Sequence, residues 1–214
     1  MNFEAFTSKL KAELDKPLPG MQAQLKMSSL KRIVALFKNE PSNPTQSSVL
    51  ILLYPNDGHI WFVLILRPDY DGVHSGQISL PGGKFEISDQ SLSHTALREA
   101  EEEIGIDPDS IKILSPLTHL YIPPSNFLVS PFIGFTESRP VFKADPTEVD
   151  RIIEINLSDL INRDNITSRK IALKMGINIR VPCWEIEGNI IWGATAMILS
   201  EFRELLLRSN NPIL

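Results

Sequence analysis

The sequence is poor in three things, and each shortage excludes something. Cys183 is the only cysteine in 214 residues, so the chain cannot close an internal disulfide, and nothing argues for an oxidising compartment. Long apolar runs are missing: the longest is Ile60–Leu66, far short of the roughly 18 residues that span a bilayer. Positive charge is in deficit, with 21 Lys and Arg against 26 Asp and Glu, a net charge of −5. A mildly acidic chain has no overall field for nucleic acid or anionic membranes, although it can still bind a phosphate locally. The N-terminus carries Glu4 and Glu13 and no apolar core, so it does not read as a secretory signal. The expected location is the cytoplasm. Internal repeats and low-complexity tracts are also absent.

What is present is an ordinary globular composition, 43% apolar and 22% charged. At about 150 residues per domain, the length fits one domain with an extension. Residues 1–46 read as a helical N-terminal extension and 47–214 as the main domain. Phe3, Phe6, Leu10 and Leu14 recur at helical spacing, and Pro17, Pro19 and Gly20 stop that helix. A second helix is expected around Leu30, Ile33, Val34, Leu36 and Phe37. In the main domain Val49–Tyr54 and Ile60–Leu66 flank Asn56-Asp57-Gly58, a hairpin signal. Gln77–Leu80 reads as a strand running into Pro81-Gly82-Gly83. Residues 91–104 read as a helix closed by Gly105. Further strands are expected at Ile111–Leu114, Leu117–Ile122, Phe127–Phe135, Val149–Ile155, Asn178–Trp184 and Asn189–Trp192. Leu157–Asn162 and Ala194–Arg208 read as helices. This mixture predicts a layered α/β domain. Cys183 is expected half-buried on a strand beside Trp184, and Trp192 in the core.

The chemistry is concentrated between Gly82 and Ile106. At about 100° per residue, Glu99, Glu102 and Glu103 share an arc of about 100° on the helix, while Leu97, Ala100 and Ile104 form an adjacent apolar face. Glu101 points away and reads as a solvated charge. Three carboxylates in two turns repel one another, and their place toward the helix C-terminus adds to the penalty. Arg98 relieves part of this, since Glu102 is its i+4 neighbour. The remainder fits either a solvated acidic helix, the usual reading of three glutamates alone, or a missing cation. Mg²⁺ prefers oxygen ligands and bridges carboxylates to substrate phosphates; Mn²⁺ is the alternative. Pro81-Gly82-Gly83 lets the backbone turn sharply and approach another group closely.

Arg98, Glu99, Glu102, Glu103 and Gly105 stand at fixed spacing, a pattern expected by chance about once in a million windows. Here the chain resembles the Nudix hydrolases, whose signature is G-x5-E-x7-R-E-U-x-E-E-x-G-U with U aliphatic. The second half matches through Ile106, with Ala100 at the first U. In the first half Asp89 replaces the glutamate, and eight residues rather than seven separate it from Arg98. Upstream, Arg67 and His74-Ser75-Gly76-Gln77-Ile78-Ser79-Leu80-Pro81-Gly82-Gly83 resemble the extra motif of the coenzyme A diphosphatase branch, departing from it at Pro68, Leu80 and Asp71-Gly72-Val73.

The resemblance implies an α/β/α sandwich with a mixed β-sheet and a loop-helix-loop catalytic motif. It implies hydrolysis of the diphosphate of coenzyme A or acyl-CoA to 3′,5′-ADP and 4′-phosphopantetheine. The alternatives are another nucleoside diphosphate derivative, such as ADP-ribose, NADH or a nucleotide sugar, or a binding module without catalysis. Glu99, Glu102 and Glu103 are the implied metal ligands, with Arg98 orienting a carboxylate. The general base is Glu99 or an acid from a later loop, best represented by Glu148 in Asp145-Pro146-Thr147-Glu148. Arg67, His74, Gln77, Gly82 and Gly83 are the candidate substrate-binding residues. His94 and His119 read as structural or exposed, and Tyr121 to Phe127 as a loop able to line the pocket. The partners expected are a small nucleotide, no nucleic acid and no membrane; a homodimer is compatible with the sequence.

Overall fold

The computed structural model describes residues 2–29, 32–33, 42–69, 75–172 and 178–208. A mixed sheet carries the domain. Its path runs β3 (Ile78–Ser79), β2 (His59–Leu66), β1 (Thr45–Asn56), β7 (Phe127–Phe135) and β5 (Lys112–Pro116). Three strands join beside that path: β4 (Gly82–Lys84) on β1, β6 (Leu120–Ile122) on β7, and β8 (Arg151–Asn156) on β2. Among the described residues of this sheet β1 and β7 pair in parallel and the other pairs are antiparallel. The expected hairpin forms at Asp57-Gly58, both with positive φ.

Strand β1 is buried on both faces, which explains its nearly unbroken apolar run. Leu50, Leu52 and Tyr54 face one core with Ala96, Ala100 and Ile104 of α3 (Leu92–Ile104). Ile51 and Leu53 face the other core. There they meet α1 (Phe3–Leu14), α4 (Leu157–Ile161) and α5 (Gly193–Leu207). Helix, sheet and helices thus make the three layers of an α/β/α sandwich. A second sheet, β9 (Ile166–Ala172), β10 (Asn178–Ile186) and β11 (Asn189–Ile191), contributes Trp184, Ile186 and Ile191 to the same core as α5. Among the described residues no helix is long and apolar enough to cross a membrane.

The N-terminal segment shares that core, with Phe6 and Leu10 fully buried in it. Helix α2 (Gly20–Leu25) begins where Pro19-Gly20 reads as a stop. It is anchored to a distant partner: Gly20 N–H donates to the buried Glu201 carboxylate at 3.0 Å. Of the helix expected near residues 30–37, Leu30, Val34, Leu36 and Phe37 lie outside the described residues. The expected strand at Leu117–Ile122 shortens to Leu120–Ile122, because Thr118 is drawn to Glu201 instead. Strand β9 is polar and mostly exposed, with no alternating signal to announce it. Cys183 is fully buried rather than half-buried. Trp192 is half-buried at the N-cap of α5 rather than in the core, since Gly193 (φ 68°) turns the chain there.

Candidate active site

Helix α3 is bounded by local chemistry. Ser91 Oγ accepts from the His94 N–H at 3.2 Å, an N-cap, and Gly105 closes the helix in the left-handed region at φ 69°. A side chain at Gly105 would strike the Lys143 backbone. That close approach lets the following loop close the helix: Lys143 N–H donates to the Ile104 carbonyl at 2.9 Å, and Asp145 N–H to the Glu103 carbonyl at 3.1 Å. Two carbonyls without intrahelical partners are thereby satisfied. The same loop carries Glu148 back to the helix.

With Ala96, Ala100 and Ile104 against the sheet, Glu99 and Glu103 turn toward β4. Glu99, Glu103 and Glu148 each offer a carboxylate oxygen, and these oxygens lie within 4.8 Å of one another. Glu103 is 1% exposed. It accepts from the Gly82 N–H at 2.8 Å and from Arg67 Nη2 at 3.2 Å. Burial nevertheless pushes its carboxyl up to about 7, outweighing the Arg67 charge and the Gly82 N–H. Glu99 is also pushed upward, first by burial, with Arg98 at 3.0 Å opposing. Buried carboxylates whose charge is not fully matched by protein donors fit a divalent cation with oxygen ligands. Glu99, Glu103 and Glu148 are the residues placed to hold it.

Glu102 is placed differently. Its half-exposed side chain meets Arg98 Nη1 at 2.7 Å, and it does not share the three-carboxylate cluster. Glu101 is exposed. Arg98 is the hub of the loop-helix-loop. It donates to Asp89 through Nε (3.0 Å) and Nη2 (3.2 Å), to the Lys84 carbonyl (2.9 Å) and to Glu102. Asp89 is 5% exposed and also accepts from Thr95 Oγ1 and the Glu86 N–H. The Arg98 guanidinium holds its carboxyl well below the usual carboxylate range. The aspartate that departs from the signature spacing is therefore the anchor of the loop.

The glycines let the backbone approach its neighbours closely. A Cβ on Gly82, at φ 149°, would run into the Ser48 carbonyl, and one on Gly83 would run into the Glu99 carboxylate. Arg67 is joined to the site through Glu103, the Gly82 carbonyl (3.0 Å) and Ser79 Oγ (3.2 Å). The Gln77 carbonyl accepts from the Arg67 N–H at 3.1 Å. His74 lies outside the described residues. The loop after β6 is folded on itself, with Tyr121 Oη donating to Asn126 Oδ1 at 2.9 Å. Phe127 lies half-buried against the core beneath Lys84 Nζ.

A mixed sheet bearing an Arg-anchored loop and a helix with clustered carboxylates defines a diphosphate hydrolase of the Nudix class. The NUDIX domain model matches residues 44–171. The chain is 37% identical over 137 residues to an uncharacterized Nudix hydrolase, NudL, of Yersinia pestis, covering 64% of this chain and 68% of that one. Its fold is similar to two solved structures. One is a MutT/nudix family protein from Enterococcus faecalis, with TM-score 0.53 and 16% identity over 90% of this chain and 75% of that one. The other is the Nudix hydrolase RenU from M. smegmatis, with TM-score 0.53 and 14% identity over 76% of this chain and 85% of that one. The chain belongs to the Nudix hydrolases and is a pyrophosphohydrolase acting on nucleoside diphosphate derivatives.

Proposed function

We propose that the substrate is coenzyme A or one of its acyl derivatives, cleaved at the diphosphate to 3′,5′-ADP and 4′-phosphopantetheine. The observation that carries this reading is the Arg67 guanidinium on Glu103 and the Gly82 carbonyl. It joins the upstream motif resembling the coenzyme A diphosphatase branch to the metal helix as one site.

In this reading Glu99, Glu103 and Glu148 would hold Mg²⁺, with Mn²⁺ able to replace it. The bound ion would neutralise diphosphate charge and lower the pKa of water. Glu148, the exposed member of the cluster, takes a proton from the attacking water. One phosphorus gains hydroxide, the bridging P–O bond breaks, and the leaving phosphate oxygen departs with the bridging electron pair. Arg98 holds Glu99 in place, and the Gly82 N–H with Arg67 holds Glu103.

The test is mass spectrometry of products from coenzyme A, ADP-ribose, NADH and UDP-glucose with Mg²⁺, beside a Glu103→Gln control. Formation of 3′,5′-ADP fastest from coenzyme A, and nothing from the variant, is the expected result. Faster cleavage of another substrate would remove the coenzyme A assignment and leave the family assignment intact.

A further inference from the structure

A polar row crosses the sheet from the carboxylates and ends on His119. Ser48 of β1 lies opposite Gly83 of β4 on one side and Ser130 of β7 on the other. Because a Cβ at Gly83 would meet Glu99, this row faces the catalytic helix. Leu120 pairs with Val129, and continuing the register by one residue sets His119 beside Ser130. Its ring Nδ1 lies 2.8 Å from Ser130 Oγ. Ser48 and Ser130 are fully buried, and Ser48 Oγ donates to the Ser130 carbonyl at 2.9 Å. His119 is the exposed member of the row.

Its exposure is combined with fixed placement. On one side Thr118 donates to the fully buried Glu201 through Oγ1 (2.6 Å) and N–H (3.4 Å). On the other side Leu120 is buried at the start of β6. Ser130 then sets the ring orientation. A solvated surface histidine requires none of these supports; a preorganised contact requires all of them. With Nδ1 taken, Nε2 has no partner among the described residues. At about 4.8 Å per strand, His119 stands about 14 Å from Gly83 along the sheet. That is too far to touch a diphosphate held at the carboxylates, but within the length of a nucleotide derivative extended across the sheet.

We propose that His119 is a specificity-determining, substrate-contacting residue. Its Nε2–H donates to an oxygen acceptor on the part of the substrate remote from the diphosphate, and Ser130 fixes the ring by donating to Nδ1. The inference rests on the nucleotide reading above. In coenzyme A the acceptor is either the ribose phosphate or a pantetheine amide carbonyl, and the test separates the two.

Steady-state kinetics of His119→Ala, His119→Gln and Ser130→Ala would be measured with coenzyme A, dephospho-coenzyme A and ADP-ribose, with Mn²⁺ affinity as a check on the metal site. Loss of one hydrogen bond predicts a KM about tenfold higher for His119→Ala, with kcat and Mn²⁺ affinity unchanged. His119→Gln, which keeps a donor, recovers part of the loss. Ser130→Ala shows a smaller rise of the same kind. If the penalty vanishes with dephospho-coenzyme A, the contact is to the ribose phosphate; if it persists there and vanishes with ADP-ribose, the contact is to pantetheine. An unchanged KM on every substrate that is cleaved would overturn the proposal, as would a fall in kcat alone. If coenzyme A is not cleaved, the coenzyme A reading fails by itself, and the same comparison on the substrate that is cleaved decides His119.

Discussion

Arg98 and Asp89 meet in a two-point contact, Nε on Oδ1 at 3.0 Å and Nη2 on Oδ2 at 3.2 Å, nine residues apart in the chain. The contact accounts for the irregular spacing of the motif. A side chain one methylene shorter than glutamate anchors a loop one residue longer, and the guanidinium is met all the same. Asp89 is buried, and without it Arg98 keeps Glu99, Glu102 and the Lys84 carbonyl. Asp89→Ala should therefore cost about 2 kcal/mol, the scale of lost hydrogen bonds to a charged group. Urea unfolding at neutral pH would show this as a lower midpoint with an unchanged slope. Activity should fall with it, because Arg98 also holds Glu99.

The three acidic residues of the helix should separate in a metal titration. Glu99→Gln and Glu103→Gln each remove a carboxylate from the cluster with Glu148, and Mn²⁺ affinity should fall by at least tenfold in each. Glu102→Gln removes only a half-exposed partner of Arg98. Such pairs contribute about 0–1 kcal/mol. This variant should bind Mn²⁺ within about twofold of the parent, which would be 0.4 kcal/mol or roughly that. Calorimetric titration of the three variants side by side distinguishes a ligand from a neighbour.

Stability of the metal-free protein should depend on pH in a stated direction. Burial holds the Glu103 carboxyl at about 7, above its ordinary 4.5. Between those values the unfolded chain has given up the proton and the folded chain keeps it. Raising pH across that window therefore favours unfolding. The contribution is fully present below about 4.5 and lost as pH rises through about 7. Asp89 acts in the opposite sense, since its carboxyl is held low and its contribution is lost as pH falls below its ordinary 3.8. Thermal unfolding in a chelator should show Tm declining from pH 5 to about 7.5, and Glu103→Gln should flatten that decline. Added Mg²⁺ should raise Tm more at the upper end, where the carboxylate is free to bind it.

Gly83→Ala tests how closely the backbone must approach the cluster. Its Cβ would occupy the space of the Glu99 carboxylate, so the carboxylate must move. Because Gly83 has no positive φ to lose, the chain should still fold. Circular dichroism should be unchanged while kcat drops by about a hundredfold, the scale of a 1 Å misplacement at a reacting centre. Gly82→Ala differs, because its Cβ would meet the fixed Ser48 carbonyl at φ 149°. It should lower Tm as well.

The helix was legible because its information is local. The Ser91 cap, the apolar face of Ala96, Ala100 and Ile104, and Gly105 all lie within 15 residues of sequence, and the structure places them as the periodicity requires. The long strands were legible from their apolar runs. What escaped the sequence depends on distant partners. Helix α2 at Pro19-Gly20 is held by residues distant in sequence: Glu201, 181 residues later, accepts the Gly20 N–H, and Ser200 donates to the Ala23 carbonyl. Asp89 fell outside the expected register, although the loop holds it in the anchoring role. The Arg98–Glu102 pair was legible at i,i+4, but that Glu99 and Glu103 gather with Glu148 and without Glu102 depends on a loop 45 residues later, which a helical wheel does not encode. Nor does a wheel show that sheet register brings His119 onto the row of Gly83.

Glu148 and Glu99 remain to be ranked as general base, and their surroundings set different expectations. Glu99 is nearly buried and already engaged by Arg98. Glu148 is exposed, lies within the same cluster, and stands on a loop fixed to the helix end through Lys143 and Asp145. A base must meet water while its neighbours keep the metal. Glu148→Gln should therefore lower kcat by about 10²–10⁴-fold while KM stays within about twofold, the range for a lost general base. Its Mn²⁺ affinity should fall less than that of Glu99→Gln, since two buried carboxylates remain. The rate of the Gln variant should also recover as pH rises and hydroxide replaces assisted water. Loss of Mn²⁺ binding equal to that of Glu99→Gln, with no pH recovery, would instead confine Glu148 to holding the metal and return the base role to Glu99.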